Sequence, residues 1–267
     1  MKLTYLGTAA AEGFPAVFCR CAHCAEARRL GGKNIRTRSQ AMINDDLLID
    51  LPADTYAHFL GNSIEGDKIR YLLLTHAHQD HLYPDELKMR AGAFAHDMRA
   101  PVLSVFCSGE VADRIGRAPL NTEITVLAPY ETQAIGNYRV TALPARHEAG
   151  AFIYLIEGER TLLYAHDTGF PYPEVLAYLE GRGITLDLIT LDCTNVDIPI
   201  SDEGRHMGFP NIGRLITRLR EGGVVSEKTV IYVNHFSHNA RPLQKRLEDM
   251  AAPLGYGVAY DGLTVAL

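Results

Sequence analysis

Thr75-His76-Ala77-His78-Gln79-Asp80-His81 follows directly on the apolar run Tyr71-Leu72-Leu73-Leu74. Such a run predicts a buried strand. A strand that ends in clustered His and Asp delivers ligand atoms to one point at the edge of a sheet. His76 and His78, two apart, share a direction as long as the chain stays extended. Asp80 and His81 follow the turn and reach a second, neighbouring point. Neutral imidazole suits zinc, iron and manganese, while the carboxylate adds charge and can bridge ions or take up a proton.

One loop with four ligands cannot saturate two ions, so further His or Asp residues are expected at other strand ends. His147 follows the predicted strand Tyr138–Leu143. Asp167 follows Thr161–Ala165, in Ala165-His166-Asp167-Thr168-Gly169, and His235 follows Val230-Ile231-Tyr232-Val233-Asn234. Functional residues collect at such places on a rigid scaffold.

The rest of the chain sets the frame. It has 267 residues, 47% hydrophobic and 22% charged, with a net charge of −6. That is ordinary globular composition, and we expect a single domain over residues 1–267. The acidic balance argues against a non-specific nucleic-acid binder, and no apolar stretch approaches the roughly 20 residues needed to span a bilayer. Met1–Gly7 reads as a first strand, not a signal peptide. Five cysteines, three of them crowded together, argue against a disulfide framework and for a reduced, cytoplasmic protein.

Further apolar runs predict strands at Lys2–Gly7, Gln40–Asn44, Leu47–Asp50, Ile69–Leu74, Val102–Phe106, Glu123–Leu127, Gln133–Ile135, Phe152–Glu157, Leu186–Leu191, Val258–Tyr260 and Thr264–Ala266. Helical spacing predicts Ala53–Leu60, Ser108–Arg117, Pro173–Gly183, Asn211–Glu221 and Arg241–Ala251. Two mixed sheets packed face to face with helices outside fit this order, an α/β (α+β) layout. Asp192–Pro210, polar and rich in turn residues, reads as an active-site loop.

Cys19-Arg20-Cys21-Ala22-His23-Cys24 is a three-thiolate clip for a tetrahedral zinc and needs a fourth ligand. His238, in His235-Phe236-Ser237-His238, is the first choice. His23 is the second, although it lies inside the clip. Such a zinc would tie an N-terminal loop at about residues 13–24 to the loop carrying His235, bracing it and contributing to folding. Cys107 and Cys193 read as ordinary buried residues.

The string THxHxDH, then a His, an Asp beside Thr-Gly, and a late His after an apolar strand together resemble the metallo-β-lactamase superfamily. The resemblance implies an αββα sandwich with a dinuclear metal site at one edge. It places His76, His78 and His147 on one ion, Asp80, His81 and His235 on the other, and Asp167 between them. His166, its neighbour, would point the other way if that segment is extended, and is not counted among the ligands. The cysteine clip, Gly13-Phe14-Pro15-Ala16, Leu191-Asp192-Cys193, Arg205-His206 and His235-Phe236-Ser237-His238 narrow the resemblance to the phosphoribosyl 1,2-cyclic phosphate phosphodiesterases of the carbon–phosphorus lyase pathway.

That resemblance implies a metal-dependent hydrolase using a hydroxide held by the dinuclear site. Its ions would be Mn or Zn, with Fe or Ni as alternatives by availability, beside one structural Zn. Asp80 or Asp167 would orient the nucleophile, and His206 would protonate the leaving alkoxide. The expected partner is a small phosphate ester, with nucleic acid and membrane disfavoured and a homodimer open. The alternatives are another hydrolase of the superfamily (an RNA 3′-processing nuclease, a thioesterase or a lactonase), an iron-loaded redox protein, or a non-hydrolytic protein of the coenzyme PQQ synthesis B type.

Overall fold

A computed structural model describes all 267 residues. Fourteen strands form two mixed seven-stranded sheets. The first sheet holds β1 (Lys2–Gly7), β2 (Gln40–Ile43), β3 (Leu47–Ile49), β4 (Tyr71–Leu73), β5 (Leu103–Cys107), β6 (Thr122–Val126) and β14 (Thr264–Ala266), in the order β14-β1-β2-β3-β4-β5-β6. The second holds β7 (Thr132–Ile135), β8 (Tyr138–Pro144), β9 (Phe152–Glu157), β10 (Thr161–Ala165), β11 (Leu188–Asp192), β12 (Val230–Asn234) and β13 (Gly257–Val258), in the order β13-β12-β11-β10-β9-β8-β7. In each sheet an antiparallel half gives way to a parallel one: β3 to β6 run parallel, as do β10 to β13.

The alternation of side chains explains why the strands read as nearly unbroken apolar runs. In β2, Ala41 and Ile43 face the opposite sheet while Met42 faces outward. In β9, Phe152, Tyr154 and Ile156 face inward while Ile153 and Leu155 face the helices. Both faces of these strands are covered, which selects mostly apolar residues on each. Leu73, at the end of β4 and fully buried between the sheets, supports the His-rich loop. Truncating such a side chain to Ala costs about 2–5 kcal/mol.

Helices α2 (Thr55–Gly61), α3 (Asp85–Lys88) and α4 (Gly109–Ile115) pack outside the first sheet through Phe59, Leu87 and Val111. Helices α5 (Pro173–Gly181), α6 (Phe209–Glu221) and α7 (Gln244–Ala251) cover the second through Val175, Leu215 and Leu247. No helix is long and apolar enough to cross a membrane.

The structure adds two helices to the expected elements and trims others. Residues 22–24, expected to lie in the clip loop, instead begin α1 (Ala22–Leu30). Cys21 caps it by accepting from the Cys24 backbone N–H, and Gly31 ends it at a φ of 64°. The clip is therefore half loop and half helical turn. The four-residue α3 is too short for a periodic signal. Ser108 is the N-cap of α4 rather than its first turn, and Gly116, at φ 71°, stops it before Arg117. The last helix starts at Gln244 instead of Arg241, because Arg241 takes a left-handed φ of 59° after a short 3-10 turn at His238–Ala240.

One charge is buried deep in the frame. Arg36 is 2% exposed, donates to Thr8 Oγ1 (2.8 Å) and Ala259 O (2.7 Å), and lies over the Phe236 ring at 4.6 Å. Burial pulls its pKa down to about 10. Its bonds tie the N-terminal loop to the C-terminal segment beside the His235 loop.

Candidate metal centre

The parallel strands end at one edge of the molecule, and the candidate ligands gather there. The root of the His-rich loop is held from both sheets. Phe152 N donates to Thr75 O (2.8 Å), and the buried Tyr154 hydroxyl donates to Leu74 O (2.6 Å). A turn closed by Leu82 N to His78 O (2.8 Å) folds the loop back, and Leu51 N to His81 O (2.7 Å) pins it to the chain beyond β3.

The ligand atoms of His76, His78, His147 and Asp167 lie within 4.8 Å of one another, and so do those of Asp80, His81, Asp167 and His235. Asp167 belongs to both groups. Its Oδ2 is 3.1 Å from His76 Nε2 and 2.9 Å from His81 Nε2. Across the first group, His78 Nδ1 is 3.0 Å from His76 Nε2 and 3.2 Å from His147 Nε2. Across the second, His81 Nε2 is 3.3 Å from His235 Nε2.

Each of the five imidazoles turns its other nitrogen to an outer acceptor. These are Thr75 Oγ1 for His76 (3.0 Å), Glu148 Oε2 for His78 (2.7 Å) and Asp50 Oδ2 for His81 (2.7 Å). Arg205 O serves His147 (3.4 Å) and Thr194 Oγ1 serves His235 (2.8 Å). With its proton committed outward, each ring presents a bare lone pair inward, the tautomer this network assigns. Five lone pairs and the Asp80 and Asp167 carboxylates thus gather into two adjoining groups that share Asp167, buried except on the side of His78. Asp167 Oδ1 is buried without a well-formed hydrogen bond, although His206 Nδ1 lies 3.1 Å away. Acceptors facing acceptors in a low-dielectric site repel unless cations lie between them, so this donor set fits divalent metal ions.

Backbone strain accompanies the site. Asp50, Asp167 and His235 all adopt left-handed φ values, of 66°, 53° and 61°. Asp and His tolerate that region better than most residues, and such strain concentrates at functional sites.

His206 comes from the loop 192–210 and sits at the rim, its side chain 28% exposed. Its Nδ1 is 2.9 Å from Asp192 Oδ2. Asp192 is wholly buried and gathers the loop, accepting also from the backbone N–H of Thr194 and Met207, both at 3.0 Å. Burial disfavours the His206 imidazolium, but the Asp192 and Asp167 carboxylates outweigh it and raise the pKa to about 9.

A second cluster lies beside the first. The ligand atoms of Cys19, Cys21, Cys24 and His238 fall within 4.8 Å of one another, with Cys24 Sγ 3.7 Å from His238 Nδ1. The Cys24 backbone N–H, at the start of α1, pulls the Cys21 thiol down to about 6. Glu12 Oε1 accepts from Ser237 Oγ (2.7 Å) and His238 N (3.0 Å), joining the N-terminal loop to the His235 loop independently of any ion.

All eleven residues singled out as ligands thus gather into these groups, and His206 stands beside them. Sequence reading gave no role to Asp50, Glu148 or Asp192. Asp50 and Asp192 carried the signal used for Asp167, an acid just past an apolar run; Glu148 carried none beyond adjacency to His147.

Residues 48–236 match the sequence profile described as the Beta-lactamase superfamily domain. No curated protein matches the chain. Among solved structures, a diphosphatase of the PhnP family superposes with a TM-score of 0.74 at 21% identity, covering 99% of this chain and 96% of that one. Zinc-bound PqqB from Methylobacterium extorquens superposes at 0.73 and 20% identity over 100% of both chains. The short form of human tRNase Z superposes at 0.67 and 14% identity, covering 100% of this chain and 99% of that one. The profile spans more than half of the sequence, and the chain belongs to the beta-lactamase superfamily, with its metallo-β-lactamase fold.

Proposed function

We propose that this superfamily member is a metal-dependent hydrolase, and within that class a phosphodiesterase acting on a small cyclic phosphate such as phosphoribosyl 1,2-cyclic phosphate. The observation that carries the reading is the pair of three-ligand groups, His76, His78 and His147 on one side and Asp80, His81 and His235 on the other, that share Asp167. His76, His78, His147 and Asp167 would hold one divalent cation, and Asp80, His81, His235 and Asp167 the other. When bound, such a pair supplies Lewis acidity toward phosphate oxygens and makes water acidic enough to attack near neutral pH.

The chain's own residues do the rest. The Asp80 and Asp167 carboxylates balance the cations' charge and accept a hydrogen bond from the attacking water, fixing its direction. Asp192 accepts the Nδ1 proton of His206 and leaves Nε2 as the atom that hands a proton to the departing alkoxide. Cys19, Cys21, Cys24 and His238 would hold a structural zinc that braces the His235 loop.

The test is hydrolysis of 5-phosphoribosyl 1,2-cyclic phosphate, bis(p-nitrophenyl) phosphate and a diphosphate diester by Mn- or Zn-loaded protein, with p-nitrophenyl acetate as the ester control. Preference for the cyclic phosphate supports the full reading. Preference for the diphosphate, the substrate type named for the PhnP-family neighbour, keeps phosphorus–oxygen hydrolysis and changes the substrate. Cleavage of the carboxylic ester alone, with metals counted in place, overturns it.

A further inference from the structure

Beneath the candidate centre, on the side away from solvent, lies a second constellation that the proposed chemistry does not use. His166 and Asn234 immediately precede Asp167 and His235. Both are buried, at 1% and 0% exposure. Asn234 Nδ2 donates to His166 Nδ1 at 3.2 Å. That leaves the proton on His166 Nε2, which donates to Thr190 Oγ1 at 2.7 Å. The fully buried Tyr5 hydroxyl donates to the same Thr190 oxygen at 2.9 Å. The His166 ring lies between Tyr164, centroid 4.0 Å away, and Tyr5, at 6.3 Å with planes 18° apart.

The topology gives this chain of bonds its importance. His166 follows β10, Thr190 is in β11 and Asn234 ends β12, three adjacent parallel strands. Just past the clasp, β10 and β12 give way to Asp167 and His235, each in a left-handed conformation that most residues avoid. A strained backbone persists only where its surroundings over-determine it. The adjacent side chains that could hold both turns in register are the two that bond each other. From β1, Tyr5 reaches the clasp across the inter-sheet core, so both sheets meet in it.

We infer that His166 is a positioning residue: by clasping Asn234 and Thr190 it holds the turns that aim Asp167 and His235 at a common ion. The inference rests on the dinuclear reading above. Neither His166 nor Asn234 touches the ligand atoms, so the clasp works through the backbone of its neighbours.

The experiment counts metal. Holoprotein is dialysed against buffers of graded free Mn²⁺ or Zn²⁺, and bound ions are measured by elemental analysis, with circular dichroism and a thermal melt on each sample. His166→Phe keeps an aromatic ring between the tyrosines and loses both hydrogen bonds. It should retain the fold while one ion of the pair is lost at free-metal concentrations about 10–100-fold higher than in the wild type. His166→Gln offers a donor and an acceptor at similar reach and should restore most of that affinity, which a purely space-filling role would not. Should His166→Phe fail to fold, Thr190→Val takes its place, with Thr190→Ser as its rescue.

A folded variant that holds both ions at wild-type affinity overturns the clasp, as does a Gln or Ser variant that rescues nothing. A wild-type protein with no ions at the centre overturns the dinuclear reading itself, a separate and recognisable outcome.

Discussion

Asp50 Oδ2 lies 2.7 Å from His81 Nδ1, while Asp50 Oδ1 accepts from the Thr75 backbone N–H at 2.8 Å. One wholly buried carboxylate therefore fixes both the root of the His-rich loop and the tautomer of a candidate ligand at its far end. It is also the third residue of the site in the left-handed region.

Asp50→Asn keeps a side chain that tolerates that backbone but removes the charge facing His81. We expect about 10–100-fold weaker retention of one ion and a loss of roughly 1–3 kcal/mol in stability from the impaired hydrogen bonds. Metal counts and chemical denaturation read the two effects separately. Wild-type metal retention would show that His81 is oriented by packing alone.

Asp167→Asn should strip at least one ion and nearly all turnover with the fold intact, since the carboxylate is shared by both ligand groups. Full metal content with preserved activity would remove Asp167 from the centre.

His206→Ala should leave metal content unchanged and slow cleavage of esters with poor leaving groups by about 10²–10⁴-fold. Esters of p-nitrophenol, which need no protonation on leaving, should be largely spared. Equal slowing of both would assign His206 to phosphate binding rather than proton transfer.

Cys21→Ser should lose the zinc proposed for the clip and lower the melting temperature, while the ligands proposed for the dinuclear centre stay in place. Three ions per chain in the variant would leave the clip without its assigned role.

Acid stability offers a prediction independent of metals. His58 is 4% exposed, with Nδ1 2.6 Å from Gln40 Oε1 and Nε2 2.6 Å from Thr37 Oγ1. Burial lowers its pKa to about 4, against about 6.5 in the unfolded chain. The fold therefore prefers the neutral ring. Its contribution is fully present above pH 6.5, declines as pH falls from 6.5 to 4 and levels off below, a loss of about 3 kcal/mol. In His58→Gln, which keeps both hydrogen-bonding functions, the slope of stability with pH over that interval should be shallower than in the wild type. An unchanged slope would place the acid sensitivity in other groups.

Much of this architecture is legible one segment at a time. The central strands, such as β3, β4, β9, β10 and β11, each stand on an apolar run of their own, because strands buried on both faces carry their signal locally. The candidate-ligand string 76–81 declares itself by density, and His147, Asp167 and His235 by their places just past such runs. Helix α1 escaped notice because its first turn is also the cysteine clip, and thiolate spacing masked the cap. The orienting residues escaped for a different reason. Asp50 and His81 are 31 residues apart, His78 and Glu148 are 70 apart, and the His166–Asn234 bond spans 68. A lone acid after a strand reads equally well as a turn residue, and a His beside an Asp as a bystander. The sequence by itself determined which atoms can bind metal. Only the tertiary structure decided which nitrogen of each ring faces inward, because a tautomer is set by the partner on the ring's far side, and the sheets bring that partner in from elsewhere in the chain.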